Sequence, residues 1–256
     1  NLITKGISDE CWKRLIPCLA PIKKYSLLES SKTWARKLLY DDKKLQKYNP
    51  IFLSGNTIFL NDTKKSGITE KETYKHFIDK VDEYVIKCDG LKGGKGVYVQ
   101  GDHFTTNKEG ADIIQKCIKN NENYLLEEKL IGEEYSLFTF SDGKSVFHSP
   151  PVKDFKRAYD NNKGPNTGGM GSISSYNNGS YIFDFLTKED IRESEYVNKT
   201  VIDVLDNKCG KSGYLGILYG SFIKTKDGIK VIEFNCRLGD SEAINVLHLL
   251  ETDLGE

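Results

Sequence analysis

Neither sign of charge prevails in this sequence. Lysine and arginine together number 37, as do aspartate and glutamate, so no basic excess draws the chain to nucleic acid or to an anionic membrane. Long apolar runs are missing as well: none reaches the ~20 residues needed to span a bilayer, and no signal-peptide pattern opens the chain. The six cysteines, at positions 11, 18, 88, 117, 209 and 236, form no C-x-x-C pair. They read as reduced thiols of a cytoplasmic protein, without a disulfide frame or a zinc site. Only four histidines occur, and they are scattered, which speaks against a His-based metal centre or triad. An initiating methionine is also absent. The chain opens on Asn1 and stops at Glu256, and reads as a fragment or a processed product. Its 256 residues suit one large lobe or two to three smaller ones.

What is present centres on residues 85–101, V-I-K-C-D-G-L-K-G-G-K-G-V-Y-V-Q-G. Two strand-like segments, 85–87 and 96–100, flank a loop carrying Gly90, Gly93, Gly94, Lys92 and Lys95. Glycine lets the backbone bend and bring N–H groups to an anion, and lysine adds a mobile positive charge. The loop is not a P-loop, because Gly96 and a strand-like V-Y-V follow Lys95 where that motif has Ser or Thr and a helix. Taken alone it serves equally as a phosphate cover or as a tight hairpin with solvated lysines.

Along the chain, helices are expected over 7–20, ended by Pro17, and over 27–40, with Leu28, Trp34, Leu38 and Leu39 at helical spacing and Lys32, Arg36 and Lys37 elsewhere on the surface. Further helices are expected over 70–81 and 106–119, then a strand over 124–130. The run E-E-K-L-I-G-E-E, 127–134, is either a charged strand edge that deters aggregation or an edge whose backbone meets a flat heterocycle while a carboxylate takes ribose hydroxyls. A hairpin over 135–148 turns at Asp142-Gly143. Residues 150–175 lack apolar periodicity but are too varied for a linker, which favours function. Thr187 opens a capping-box-like T-K-E-D and a helix to about 207. Strands 216–224 and 229–235 follow, then a helix over 241–250. Period two puts Val231, Glu233 and Asn235 on one strand face, and Ile232 and Phe234 on the other. Glu233 and Asn235 are hard oxygen donors suited to Mg²⁺ and phosphate, and Arg237 could meet a transferring phosphoryl group; the alternative is a wet surface strand.

V-I-K-x-D-G-L-x-x-G-K-G-V, E-E-x-L-x-G-E-E-x-S, K-R-x-x-D-x-x-x-G-P-N-T-G-G-M-G and V-I-E-F-N-C-R-x-G-D resemble, in order and spacing, the phosphoribosylamine–glycine ligase family of ATP-grasp enzymes in purine biosynthesis. The resemblance implies an α+β ATP-grasp fold with a small α+β lid and a larger antiparallel-sheet subdomain. It implies a remnant of the N-terminal domain over 1–26, a helix and linker over 27–49, the lid over 50–130 and the catalytic subdomain over 131–256, most of the N-terminal and all of the C-terminal family domains being absent. It further implies ATP and Mg²⁺ (or Mn²⁺), with glycine and 5-phosphoribosylamine as substrates and neither nucleic acid nor membrane as partner. Lys32, Lys87, Gly93, Gly94, Lys95 and Gly96 fall where the family meets ATP phosphates. Glu127, Glu128, Lys129 and Leu130 match the adenine hinge, Glu134 the ribose-binding glutamate, and Glu233 and Asn235 the metal ligands. Asp154, Lys156, Arg157, Asn166, Thr167, Gly168, Gly169 and Arg237 lie where the family shapes the acceptor and phosphoryl-transfer site.

The chain departs from the family at Lys153-Asp154-Phe155-Lys156-Arg157, usually Q-D-H-K-R, at Gly239-Asp240-Ser241-Glu242, usually G-D-P-E, and at 20–24, usually bearing F-G-P. The reaction implied is phosphorylation of glycine by ATP, lying between the lid and the sheet that carries Glu233, followed by attack of phosphoribosylamine on glycyl phosphate. Two alternatives stand beside it: an ATP-grasp carboxylate–amine ligase with another acceptor, and a catalytically incomplete nucleotide-binding fragment.

Overall fold

A computed structural model of the chain describes residues 1–54, 70–90, 96–160, 163–174, 176–177, 180–181, 183–210 and 212–252. It forms two compact units, one of 30–131 and one of 1–29 with 132–256. Residues 30–49 thus belong to the same unit as the glycine loop. No helix among the described residues is long and apolar enough to cross a membrane.

Helix α1 (Ile7–Lys13) is shorter than its apolar pattern suggests. Leu15 takes a left-handed φ of 57°, and the Ile16 N–H returns to the Cys11 carbonyl at 2.9 Å. That closes the helix before Pro17 is reached. The helix expected over 27–40 is two helices, α2 (Leu27–Ser30) and α3 (Lys32–Asp41). Ser31 separates them because its extended backbone lets Oγ accept the Trp34 N–H at 3.2 Å, an N-cap in mid-pattern.

The smaller unit continues with β1 (Phe52–Ser54), α4 (Glu70–Ile78), β2 (Tyr84–Cys88), β3 (Val97–Val99), α5 (Asn107–Lys119) and β4 (Tyr124–Glu128). Its antiparallel sheet has the order β1-β4-β2-β3. Leu53, Phe77, Ile86, Phe104, Ile114 and Leu126 fill its core. A reciprocal Thr106–Glu109 capping box starts α5. Strand β4 is central, with Glu127 opposite both Phe52 and Val85, so it is not the edge that its carboxylates suggested.

The larger unit adds β5 (Glu133–Asp142), β6 (Val146–His148), β7 (Val152–Asp154), β8 (Arg157–Tyr159), β9 (Lys163–Asn166), β10 (Ser172–Ser174), β11 (Tyr176–Asn177), β12 (Ser180–Tyr181), α6 (Lys188–Cys209), β13 (Leu215–Thr225), β14 (Gly228–Asn235) and α7 (Asp240–Leu247). Its main sheet runs β10-β7-β5-β13-β14, with β6 beside β5. Among the described residues of 150–175, aperiodic in sequence, stand the four short strands β7, β8, β9 and β10. Helix α6 opens with the expected Thr187–Asp190 box and buries Ile191, Val197, Val201 and Leu205. Both units are α+β with antiparallel sheets, the class that the sequence implied.

At Gly132 the chain enters β5 so close to β13 that a Cβ would stand 1.9 Å from the Lys224 carbonyl oxygen. Backbone cannot withdraw there without opening the register of Glu133 on Lys224. Gly132→Ala should therefore cost about 1–3 kcal/mol, read as a lower midpoint in chemical denaturation. An unchanged midpoint would show that β5 can shift freely at its start.

Strand β14 breaks the period-two reading. Phe222 lies opposite Val231 but Ser221 lies opposite Glu233, so two steps along β14 match one along β13, a β-bulge. Val231, fully buried, is thereby turned to the face opposite Glu233. Glu233 and Asn235, opposite Ser221 and Tyr219, keep a common face.

Candidate functional site

In the smaller unit, Asp89 organises the start of the glycine loop. Its Oδ1 accepts the Lys32 N–H at 2.6 Å and the Gly90 N–H at 3.0 Å, and its Oδ2 accepts the Ser31 hydroxyl at 3.0 Å. The Lys32 ammonium then reaches the carbonyls of Gly90 at 2.8 Å and Cys88 at 3.4 Å. Gly96 closes the far side, its carbonyl accepting the Cys88 N–H at 2.7 Å. Gly93, Gly94 and Lys95 lie outside the described residues.

Lys87 is buried on β2 and paired with Glu127 at 2.6 Å. Arg36 grips the same carboxylate with two parallel hydrogen bonds, Nε to Oε1 at 2.6 Å and Nη2 to Oε2 at 3.0 Å. Burial works to raise the Glu127 pKa, but Arg36 and then Lys87 outweigh it and hold the group at about 2. Arg36, read from sequence as a surface residue, is 3% exposed. Helical spacing alone misses it; the signal was a charged residue between Ala35 and the Leu38–Leu39 pair, all three buried.

The run 127–130, expected to form a hinge, is more committed than its sequence implied. The Glu128 N–H bonds the Ile51 carbonyl and the Lys129 N–H bonds the Glu83 carbonyl, each at 2.9 Å. The Lys129 ammonium is held by Glu83 at 2.8 Å and the Gln100 carbonyl at 2.9 Å. The Leu130 N–H has no hydrogen-bond partner among the described residues.

The larger unit gathers the remaining residues. The G-P-N-T-G-G-M-G run folds back along 154–157. Thr167 donates N–H and Oγ1–H to the Lys156 carbonyl at 2.7 and 2.9 Å, the Met170 N–H bonds the Phe155 carbonyl at 2.7 Å, and the Phe155 N–H bonds the Gly171 carbonyl at 3.0 Å. Arg157 donates to the Gly164 carbonyl at 2.9 Å, and its backbone lies opposite Asn166. The Gly169 N–H bonds Thr167 Oγ1 at 3.1 Å. A Cβ at Gly169, whose φ is 131°, would meet Ser241 Oγ at 2.9 Å. Gly168 stands clear, with nothing within 4 Å of a Cβ there.

Lys156 sits among carboxylates. Burial would lower its pKa, but Glu134, Glu233, Asp154 and Glu242 together hold it above the ordinary lysine value; its Nζ lies 3.6 Å from Glu134 Oε2. Burial, and then the charge of Glu242, pushes the Asp154 carboxyl up. Ser241, where the family usually has proline, lies 3.3 Å from both Asp154 Oδ1 and Glu242 Oε2. Glu242 is buried and accepts the Tyr219 phenol at 2.8 Å. Lys153, another departure, pairs with Glu133 at 2.6 Å.

On β14, Asn235 Nδ2 donates to Glu233 Oε1 at 3.4 Å, and Arg237 Nη2 donates to Asn235 Oδ1 at 3.3 Å. Arg237 is aimed by Glu29 of α2, which accepts its Nε–H at 3.0 Å and the Cys236 N–H at 3.0 Å. The Glu29 side chain is 3% exposed. Sequence reasoning passed over Glu29; its signal was a lone carboxylate beside Leu28 on a buried face. Glu233 itself is exposed. The pair presents hard oxygens of the type that divalent magnesium takes, and the donor set fits that ion.

Residues 47–243 match the family model described as phosphoribosylglycinamide synthetase, ATP-grasp (A) domain. Over 251 residues the chain is 38% identical to the phosphoribosylamine–glycine ligase of Methanosarcina barkeri, covering 98% of itself and 53% of that protein. The solved phosphoribosylamine–glycine ligase of Thermotoga maritima is similar with a TM-score of 0.68 at 29% identity, over 90% of this chain and 53% of that one. The D-alanine–D-alanine ligase of Bacillus anthracis, solved with ATP, shares the fold, with a TM-score of 0.59 at 14% identity over 95% of this chain and 68% of its own. The chain spans about half the length of the curated relatives it matches. The match over most of its length, with the likeness of fold, means that this chain belongs to the phosphoribosylglycinamide synthetase ATP-grasp (A) domain family.

Proposed function

We propose that this chain is the ATP-handling core of a cytoplasmic phosphoribosylamine–glycine ligase. In that reaction a glycine carboxylate oxygen attacks the γ-phosphorus of ATP, giving glycyl phosphate and ADP. The amine of 5-phosphoribosylamine then attacks the carbonyl carbon and expels phosphate, leaving glycinamide ribonucleotide. The observation that carries the reading is the face shared by Glu233 and Asn235, with Arg237 hydrogen-bonded to Asn235.

The residue roles are those that the family resemblance implies. Lys32, Lys87 and Lys95 offset phosphate charge, and the backbone N–H groups of Gly93, Gly94 and Gly96 donate to phosphate oxygens. The hinge of Glu127, Glu128, Lys129 and Leu130 receives adenine, with the Leu130 N–H as its donor, and Glu134 accepts ribose hydroxyls. Glu233 and Asn235 hold Mg²⁺ or Mn²⁺, which when bound neutralises charge on the transferring phosphoryl group. Arg237, aimed by Glu29, supports the same group. Asp154, Lys156 and Arg157, with Asn166, Thr167, Gly168 and Gly169, form the acceptor side. Exclusion of water protects the acyl phosphate from hydrolysis.

A second reading, ligation to another acceptor amine, is favoured by Ser241 lying between Asp154 and Glu242 and by the Lys153–Glu133 pair. The third possibility is a nucleotide-binding fragment that lacks turnover. Glycine-dependent ADP release from a domain-complete version, with and without phosphoribosylamine, separates the three. The 256-residue chain alone is expected to bind MgATP in calorimetry yet make little or no glycinamide ribonucleotide. Robust product from it would show that the acceptor site is self-contained. A domain-complete version that releases no ADP with glycine would overturn the ligase reading.

A further inference from the structure

Beside Lys87 and Asp89, on side chains that carry none of the roles assigned above, the smaller unit brings two thiols and a carboxylate together. Cys88 Sγ, at the end of β2, lies 3.2 Å from Cys117 Sγ on α5. A carboxylate oxygen of Glu122 completes a group whose ligand atoms all fall within 4.8 Å of one another. Both thiols are buried, at 5% and 4% exposure, while Glu122 is partly open to solvent. The local backbone holds the three in place. The Glu122 N–H returns to the Cys117 carbonyl at 2.9 Å, and the Asp89 N–H, next to Cys88, bonds the Asn123 carbonyl at 2.8 Å. Asn121, in left-handed conformation at φ 55°, makes the turn that sends Glu122 back toward the helix end.

We infer that Cys88, Cys117 and Glu122 form a binding site for a thiophilic divalent cation of the zinc or cadmium type. Zinc–sulfur bonds of about 2.3 Å in tetrahedral geometry put two sulfurs about 3.8 Å apart, so for zinc the thiols, 3.2 Å apart, need to separate by only about half an ångström. Two sulfur donors select against magnesium and calcium and for a softer ion. The carboxylate supplies a third ligand, and its solvent-facing side leaves room for water as the fourth. Binding displaces one proton from each thiol, and the two thiolates and the carboxylate outbalance the dication by one negative charge. The site would tie the end of β2 to the end of α5 one residue before Asp89, the group that fixes Ser31 and Lys32.

Cys11 and Cys18 also neighbour one another, so the test uses the Cys11→Ser/Cys18→Ser chain. Cadmium titration should give one ion per chain, a thiolate-to-cadmium charge-transfer band in the ultraviolet and a higher melting temperature. Cys88→Ser and Cys117→Ser should each lose the band, and Glu122→Gln should weaken binding by roughly tenfold or more, as loss of metal-site partners typically does. Should a serine variant fail to fold, cadmium NMR of the parent chain decides: a resonance in the two-thiolate range supports the site, and one in the oxygen-only range overturns it. Isolation of the parent with Cys88 and Cys117 already joined as a disulfide also overturns it, as does cadmium binding unchanged by Cys88→Ser.

Discussion

Glu127→Gln is expected to destabilise the smaller unit by about 3–5 kcal/mol, the cost of removing one partner from a buried charge network. The substitution keeps the shape of the side chain but removes the negative charge that Arg36 and Lys87 share, at side chains only 4% and 10% exposed. Trp34 lies on the same helix as Arg36, so its fluorescence reports the loss once Trp12 is replaced by phenylalanine. The pH dependence carries a matching signature. The Glu127 carboxyl is depressed from 4.5 to about 2, so its contribution is complete above pH 4.5 and is lost as pH falls toward about 2. The parent should lose stability across that window, and the Gln variant should show less of that loss. Replacing all three residues by apolar ones of similar volume should recover much of the loss. A cost below about 1 kcal/mol for Glu127→Gln, the range of an exposed pair, would mean that the network does not hold α3 to β4.

That network also marks where sequence reading stopped. The motif around Glu127 was legible as one that resembles the adenine hinge of a family, a role that remains proposed. Its physical arrangement was not. Four carboxylates in eight residues of E-E-K-L-I-G-E-E suggested a solvated edge, yet β4 is flanked on both sides. Partners distant in sequence, Arg36 and Lys87, permit the burial of Glu127. The same holds for Glu29, whose ligand Arg237 lies 208 residues away. Local rules performed well where the interaction is local. The Thr187–Asp190 box needs only four consecutive residues, and it was read correctly with Asp in the place of Glu.

The β14 bulge is the subtler failure. Alternation predicts faces only while the register advances evenly, and nothing in V-I-E-F-N announces an extra residue. The outcome kept the pair that matters for the proposed chemistry and moved only Val231. With strict alternation the buried face of Val231 would also be that of Glu233. The shift at Ser221/Phe222 allows a fully buried Val231 two residues before an exposed carboxylate.

Glu233→Gln should then separate binding from chemistry. The fold should be untouched, because the residue is exposed and a carboxamide oxygen can still accept the Asn235 Nδ2 hydrogen bond seen at 3.4 Å. Nucleotide should still dock through the proposed hinge and lysines of the smaller unit. What the substitution removes is the negative charge that would hold a divalent cation, since a neutral carboxamide is a weaker ligand for a hard ion. The lost charge neutralisation is of the order of several kcal/mol, so glycine-dependent ADP release in a domain-complete version should fall by at least about a hundredfold. In the chain itself, Mn²⁺ bound in the presence of ATP, followed by electron paramagnetic resonance, should weaken in step while the melting temperature holds. Glu233→Asp, which restores the charge on a shorter arm, should regain part of the Mn²⁺ affinity. If Glu233→Gln keeps both parent-like Mn²⁺ binding and parent-like ADP release, Glu233 is a wet surface residue and the metal must be sought among Asp154, Glu134 and Glu242, the other carboxylates around Lys156.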